Sequence, residues 1–279
     1  MSKHGAADRT PRFPLLLGRM GQAGTPSQPR ETLRPQRPLR EAARDARDAH
    51  PQRQTPPQGL GLDSALVRQR MVQRLRAEGI RCEPVFAVMA QVPRHLFVDT
   101  ALAIQAYEDT SLPIGHGQTI SKPSVVARML ELLFDGASAR SNGHLGNTLE
   151  VGTGCGYQTA LLAPLARRVL SIERLRPLFD KASTHLAPWR YDQVRLVYGD
   201  GMLGHSPNAP YDSIVAAAGG AELPAAWLDQ LAVGGRLVAP MQRPGGRGQV
   251  LVVVDRKTSG LVRTEHEAVF FVPLKSGIV

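Results

Sequence analysis

The chain has 279 residues, a formal net charge of +10, 42% hydrophobic residues and two cysteines. This length accommodates one large domain, and two cysteines exclude both a disulfide-rich secreted scaffold and a four-thiolate zinc site. No apolar run approaches the roughly 20 residues that cross a bilayer, so the sequence excludes an integral membrane protein and favours a cytoplasmic one.

The positive charge is concentrated in residues 1–62, which hold 11 Lys and Arg against 5 Asp and Glu. This segment has no Val or Ile and one aromatic residue, Phe13. It cannot bury enough apolar surface to offset the entropy of ordering, about 1–2 kcal/mol per residue. We therefore predict a disordered basic arm over residues 1–62 and one domain over residues 63–279. The arm is interpreted as a solvated linker; a nucleic-acid-binding or partner-binding arm and a targeting peptide are the alternatives.

A first helix is predicted from a cap at Asp63 or Ser64, because apolar residues from Leu66 to Leu75 fall at helical spacing, and it is predicted to end at Gly79. A second helix has Pro84 in its first turn. Residues 112–122, LPIGHGQTISK, contain two glycines and are predicted to form a loop. Pro123 then opens a third helix. Together these helices are expected to form a cap on the part of the chain that follows.

From residue 148 onward, short β-rich runs alternate with helical ones, which implies a parallel sheet covered on both faces. The last two strands have no helix between them, which predicts an antiparallel edge. The predicted fold is α/β, a doubly wound, mostly parallel sheet with an N-terminal helical cap and an antiparallel C-terminal edge. The predicted strands are Thr148–Val151, Val169–Glu173, Val194–Tyr198, Ser213–Ala217, Arg236–Pro240, Val250–Asp255 and Ala268–Val272, and the predicted helices are Tyr157–Ala166, Leu175–Ala187 and Pro224–Leu231.

The first strand of this sheet leads into a glycine turn, EVGTGCG, at residues 150–156. Glycines allow the backbone to turn sharply and approach a ligand, and the next helix points its N-terminus at the same place. A dinucleotide fingerprint would require glycine at position 157, which is Tyr157. An acid followed by three alternating glycines is instead usual in S-adenosylmethionine-dependent methyltransferases. The candidate cofactor residues in this turn are Glu150, Gly152, Thr153, Gly154 and Gly156.

Two further acids end the next two predicted strands. Glu173 is placed to accept the ribose hydroxyls of a nucleoside, and Asp200, within Gly199-Asp200-Gly201, is placed to reach an adenine amino group. The carboxyl ends of parallel strands meet at one crevice, so we expect both acids and Gly201 to converge on the glycine turn. The alternatives are a surface carboxylate at position 173 and simple turn chemistry at position 200.

Several segments of the chain match one family of these methyltransferases. They are VPR at 92–94, FVD at 97–99, LPIG at 112–115, GQTIS at 117–121 followed by Pro123, the glycine turn with GYQTA at 156–160, GDG at 199–201 and FVPL at 271–274. On these segments, residues 70–279 closely resemble protein-L-isoaspartate O-methyltransferase. The Gln-Thr-Ile-Ser-x-Pro loop is the specific signature.

The resemblance implies a Rossmann-like enzyme that uses S-adenosylmethionine and no metal. Such enzymes methylate the free carboxylate of L-isoaspartyl and D-aspartyl residues in damaged proteins and peptides, and the ester then collapses to a succinimide. Ser121 matches the active-site serine, and Thr119, Ile120 and Ser121 are the expected substrate-binding residues. A helix N-cap before Pro123 is a second reading of Ser121. We expect a monomer with no membrane partner.

The main alternative is an RNA or DNA methyltransferase that uses the basic arm. Amino-methylating enzymes usually carry an Asn/Asp-Pro-Pro-aromatic motif after the fourth strand, where this chain has Ala-Ala-Gly-Gly at 217–220. The same four residues, together with His116 and Lys122, also depart from the pattern of the resembled family. A binding module without activity is the third possibility, and the intact glycine turn argues against it. We expect no nucleic-acid partner except through the arm.

Overall fold

The computed structural model describes residues 65–243, 245 and 248–279. The predicted arm over residues 1–62 and the predicted helix start at Asp63 or Ser64 lie outside these residues. Across the described part of the chain, no helix combines the length and the apolar character needed to cross a membrane.

Three helices precede or flank the sheet, as the helical spacing predicts, together with two short 3₁₀ turns that were not predicted. Proline stands in the first turn of the second and third helices, where its missing N–H costs no hydrogen bond. The three helices bury Met71, Phe86 and Met129 respectively. The elements are α1 (Ala65–Ala77), α2 (Glu83–Gln91), the 3₁₀ turns Arg94–Phe97 and Thr100–Gln105, and α3 (Pro123–Phe134).

Residues 112–122 form a β-hairpin, so the predicted loop is wrong. Strands β1 (Leu112–Gly115) and β2 (Gln118–Ile120) pair antiparallel through a two-residue turn, His116-Gly117. Both turn residues have positive φ, +54° and +67°, as the primed turns of tight hairpins require. Of the two glycines that suggested a loop, Gly115 precedes this turn and Gly117 lies in it. The hairpin is held by burial of alternate apolar side chains, Leu112, Ile114 and Ile120.

The main sheet confirms the predicted α/β architecture. Its strand order is β5-β4-β3-β6-β7-β8-β9; the first five strands are parallel, and β8 and β9 form the antiparallel edge. Because β4 and β6 flank β3 on opposite sides, the strand order reverses at β3, where α/β sheets bind ligands. The strands are β3 (Asn147–Val151), β4 (Arg168–Glu173), β5 (Val194–Tyr198), β6 (Tyr211–Ala216), β7 (Leu231–Gln242), β8 (Gln249–Lys257) and β9 (Gly260–Val269).

Several bounds differ from the predictions, most of all in β7 and β9. Strand β7 begins at Leu231 rather than at Arg236. The last strand is Gly260–Val269 rather than Ala268–Val272, because β9 is an edge strand whose side chains are mostly exposed and therefore polar. A short helix, α4 (Ala137–Asn142), occupies the connection before β3, for which no helix was predicted. The remaining helices lie at the predicted places and are α5 (Tyr157–Leu165), α6 (Arg176–Leu186) and α7 (Ala225–Gln230).

The sheet separates two apolar cores. Alternate residues of β8 divide between them: Leu251 and Val253 pack with α1, α2, α3, α5 and α6, whereas Val252 and Val254 pack on the other face with Trp227 of α7. Such alternation follows from the two-residue period of a strand. Both faces are therefore covered, and ligand access is left to the carboxyl ends of the parallel strands.

Candidate active site

A cavity of about 520 Å³, here called the central cavity, opens at the carboxyl ends of β3 and β4. Its volume falls within the range of small-molecule sites. The β1–β2 hairpin, the glycine turn, the end of β4, the segment after β6 and the segment after β9 contribute to its walls. The predicted site residues in these walls are Thr119, Ile120, Ser121, Gly152, Thr153, Gly154, Glu173 and Gly201.

The glycine turn connects β3 to α5 along one side of this cavity. Gly152, Gly154 and Gly156 have φ values of +91°, +59° and +91°, a backbone region that disfavours side chains. Gly152 and Gly154 line the cavity. Gly156 does not; it stands at the N-cap of α5, and a Cβ there would come within 3.1 Å of Leu186. Gly156 therefore shapes the turn without forming part of the wall.

Glu173 lies at the end of β4, is 5% exposed and lines the central cavity. Its Oε2 accepts a hydrogen bond from the amide of Gly154 at 2.9 Å, and its Oε1 accepts one from the amide of Leu175 at 2.9 Å. Each carboxylate oxygen keeps a second lone pair for a hydroxyl donor. The alternative of a surface carboxylate is wrong, because the side chain is buried and joins the glycine turn to β4.

Glu150 lies beneath the glycine turn rather than in the cavity wall. Its Oε2 accepts hydrogen bonds from Thr159 Oγ1 at 2.5 Å and Ser171 Oγ at 2.6 Å, and Ser171 Oγ lies 2.6 Å from Thr153 Oγ1. Complete burial raises the pKa of Glu150 to about 7, although the hydroxyl donors of Ser171 and Thr159 act in the opposite direction. The residue thus supports Thr153 and α5 from below, and direct contact with a cofactor stays a prediction.

Asp200 follows β5 and caps a short 3₁₀ turn over residues 201–203. Its Oδ1 accepts from the amide of Met202 at 2.9 Å, as turn chemistry requires, and its Oδ2 accepts from the amide of Gly277 at 2.6 Å. Asp200 is absent from the cavity wall among the described residues, whereas its neighbour Gly201 forms part of it. A Cβ on Gly201 would lie 2.5 Å from Val151 Cγ1, which explains why glycine stands there.

The hairpin brings the predicted substrate residues Thr119, Ile120 and Ser121 to the opposite side of the cavity. Helix α3 begins at Pro123, with Lys122 at its N-cap and no side-chain cap bond. The reading of Ser121 as a helix N-cap is therefore wrong. Ser121 is half-buried, and its carbonyl oxygen accepts a hydrogen bond from the guanidinium of Arg94 at 2.7 Å.

Arg94 is a fully buried cation behind the hairpin. Besides the Ser121 carbonyl, its Nε donates to the carbonyl of Ala106 at 2.8 Å, and its guanidinium carbon lies 4.8 Å from the ring centre of Tyr157. Desolvation lowers the pKa of Arg94 from its usual high value, and burial raises that of Tyr157 to about 12. Residues 119–121 are here called the substrate loop. One guanidinium therefore joins this loop, the helical cap and the first residue of α5.

Part of the cavity wall has no counterpart among the predicted site residues. The segment Val272–Lys275 lines the cavity, together with Tyr157, Gln158 and the two alanines after β6. It is held by hydrogen bonds with Gly219, whose amide donates to the carbonyl of Val272 and whose carbonyl accepts from the amide of Leu274, both at 2.8 Å. The sequence did mark this segment, because FVPL at 271–274 matches the resembled family, but none of its residues was predicted to form part of the site.

Metal ligation and thiol chemistry find no support in the residues that the structure describes. Over residues 65–243, 245 and 248–279, no three His, Cys, Asp or Glu side chains cluster so that they could hold a metal ion. Cys155 is buried, and this burial raises the pKa of its thiol. A raised pKa disfavours the thiolate that a nucleophile requires. The site is therefore a cavity built from glycine turns, backbone amides, a carboxylate and a serine.

Comparison with known proteins identifies the family. The model of the family described as Protein-L-isoaspartate(D-aspartate) O-methyltransferase (PCMT) matches residues 66–278. A protein-L-isoaspartate O-methyltransferase of Methylibium petroleiphilum is 66% identical over 226 residues, which are 81% of this chain and 83% of that protein. One of Leptothrix cholodnii is 64% identical over 220 residues, 78% and 77% of the two chains.

Solved structures share the fold. A protein-L-isoaspartate O-methyltransferase superposes with a TM-score of 0.67 at 24% identity, covering 76% of this chain and 67% of the other. A putative enzyme of the same name from Plasmodium falciparum, solved with S-adenosyl-L-homocysteine, gives a TM-score of 0.61 at 24% identity, covering 75% and 98%. With the family model matching nearly all described residues, this chain belongs to the protein-L-isoaspartate(D-aspartate) O-methyltransferase family.

Proposed function

We propose that this chain transfers a methyl group from S-adenosylmethionine to the free carboxylate of L-isoaspartyl and D-aspartyl residues in damaged proteins. The methyl ester then collapses to a succinimide, whose hydrolysis returns some normal aspartate. The observation that carries the proposal is the central cavity itself, in which one space connects the glycine turn with Thr119, Ile120 and Ser121. A methyl donor and a carboxylate acceptor would meet there.

The residues around the cavity fit the proposed cofactor. Its nucleoside hydroxyls would be held by the remaining lone pairs of Glu173, and the turn at Gly152 and Gly154 leaves space for close backbone approach. Gln158 and Tyr157, at the start of α5, also line the cavity. The adenine amino group would lie near Gly201, and its contact with Asp200 stays a prediction, because the Asp200 oxygens accept from the amides of Met202 and Gly277 and the residue does not line the cavity. S-adenosylmethionine supplies the electrophilic methyl group.

The acceptor needs no general base, because a carboxylate is already ionised at neutral pH. An oxygen of that carboxylate forms the new C–O bond while the carbon–sulfur bond breaks and its electron pair stays on sulfur. The negative carboxylate and the positive sulfonium become two neutral groups, so a site that excludes water favours the transfer. The task left to the protein is alignment, which is worth about 7–11 kcal/mol of barrier in well-oriented reactions. We assign it to Ser121 and the amides of residues 119–121.

The test compares a peptide containing one L-isoaspartyl residue with the isomer containing normal L-aspartate, at equal concentration. We expect methyl transfer to the isoaspartyl peptide and none above background to its isomer. A third arm offers total RNA and duplex DNA, the substrates of the alternative function. Equal methylation of both peptides, or methylation of nucleic acid alone, would falsify the proposal.

We further propose that the enzyme acts as a cytoplasmic monomer and that residues 1–62 are dispensable for chemistry. The two cysteines support a reducing setting, since Cys82 and Cys155 are both free thiols. Light scattering of the full chain with and without cofactor measures the mass directly, and a mass of two or more chains would contradict the monomer.

A further inference from the structure

A second cavity, of about 790 Å³, lies on the far side of the substrate loop from the central cavity. Residues 78–80, which follow α1, line it together with residues of α3, β8 and β9, as do Phe270 and Phe271. Among the residues that the structure describes, Ser121 alone lines both cavities. The second cavity therefore borders the residue beside which the reacting carboxylate would lie.

The floor of the second cavity is apolar, and an aromatic side chain stands at its rim. The floor consists of Ile80, Val125, Leu251 and Phe271. Phe270 is 94% exposed, the highest fraction among the large apolar side chains that the structure describes. Its neighbour Phe271 is 7% exposed and belongs to the core. The fold thus uses Phe271 for packing and leaves Phe270 free for a contact outside the chain.

The cations around this cavity already have partners. Lys122 Nζ lies 3.2 Å from Asp109, and Arg128 makes 2.7 Å contacts with both Glu131 and Glu267. Hydrogen bonds from Ser124 and Lys122 hold the pKa of Asp109 below its usual value despite the opposing effect of partial burial. Carboxylates therefore outnumber the cations at this rim, with Glu78 and Glu267 both in the cavity wall, and a rim of this charge above an apolar floor favours an apolar occupant over an acidic one.

The chemistry of an isoaspartyl residue requires space for polypeptide on both sides of its carboxylate. The chain enters through the backbone nitrogen and leaves through the side-chain carbonyl, so two chain segments must extend away from Ser121. The central cavity is already assigned to the cofactor. We propose that the second cavity holds an apolar side chain of the residue next to the isoaspartyl residue, with Phe270 closing over it. This inference rests on the proposed function and adds a sequence preference to it.

The experiment replaces Phe270 with alanine and measures kcat and KM on two isoaspartyl peptides. One peptide carries leucine on both sides of the isoaspartyl residue, and the other carries glycine. We expect KM for the leucine peptide to rise about five- to tenfold, from lost apolar contact, with kcat and the glycine peptide unchanged. The matched control is Ile104→Ala, because Ile104 is 80% exposed and lies outside both cavities.

A second variant fills the cavity instead of opening it. Ala268 lies on the exposed edge strand β9 and lines the cavity, so Ala268→Trp is expected to fold and to abolish the preference of the wild-type enzyme for leucine over glycine. Equal KM changes for both peptides, or no change in either variant, would overturn this inference. The proposed function would still stand if the wild-type enzyme methylates the isoaspartyl peptides. A wild-type enzyme that methylates neither peptide overturns both.

Discussion

Replacing Arg94 with methionine removes the buried guanidinium that joins the hairpin, the cap and α5. The change deletes two hydrogen bonds from a charged donor, worth about 1.5–3 kcal/mol each. It leaves the buried carbonyl of Ala106 and the half-buried carbonyl of Ser121 without these donors. It also deletes the cation–π contact with Tyr157, worth about 2 kcal/mol when desolvated. The substitution also removes the desolvation cost of a buried charge, and this offsets several kcal/mol of the loss. We expect a net loss of about 2–4 kcal/mol.

Urea unfolding monitored by circular dichroism measures this loss, and kinetics on the isoaspartyl peptide measure its functional consequence. The Ser121 carbonyl would lose its anchor, so we expect kcat to fall about ten- to hundredfold, while the dissociation constant of the cofactor changes less than twofold. Arg94→Lys keeps the charge but not the planar fork, and should recover part of both losses.

The matched control is Arg140→Met. Arg140 forms an exposed ion pair with Asp135 at 3.2 Å, and such pairs contribute about 0–1 kcal/mol. Arg94→Met with the stability and kcat of the wild type would refute the idea that this cation positions the substrate loop. A loss of the same size in Arg140→Met would show that the effect is not specific to the buried cation.

The remaining predictions concern the serine, the buried acid and the arm. Ser121→Ala should lower kcat about tenfold while calorimetry shows unchanged cofactor affinity; a loss of affinity would contradict its assignment to the acceptor. Glu150 has a folded-state pKa raised from 4.5 to about 7, so its ionisation opposes folding and stability should fall, by up to about 3 kcal/mol, as pH rises through this window. Glu150→Gln should show a flatter dependence of unfolding free energy between pH 5 and 8, and parallel curves for the two proteins would count against it. Deleting residues 1–60 should leave peptide methylation nearly unchanged, and a tenfold loss would show that the arm takes part in catalysis.

Local rules of backbone conformation explain why much of the site was predictable. Glycine at 152, 154 and 156 follows from positive φ at each position, and a glycine turn between a strand and a helix is visible in sequence spacing. Glu173 ends a strand parallel to β3, so its convergence on the turn follows from topology. The hairpin and the polar edge strand β9 escaped prediction because their stability comes from tertiary burial and edge position, which alter or hide the local pattern.

The sequence by itself therefore determined the α/β order, the glycine turn and the family signature. Only the tertiary structure decided which predicted residues form the wall: Glu150 lies below it, and Asp200 is engaged by Gly277, 77 residues away in the chain. It also decided the role of Arg94, whose partners lie 12 and 27 residues away. Burial and hydrogen bonding between distant segments depend on how the elements pack, and no local sequence pattern encodes that packing.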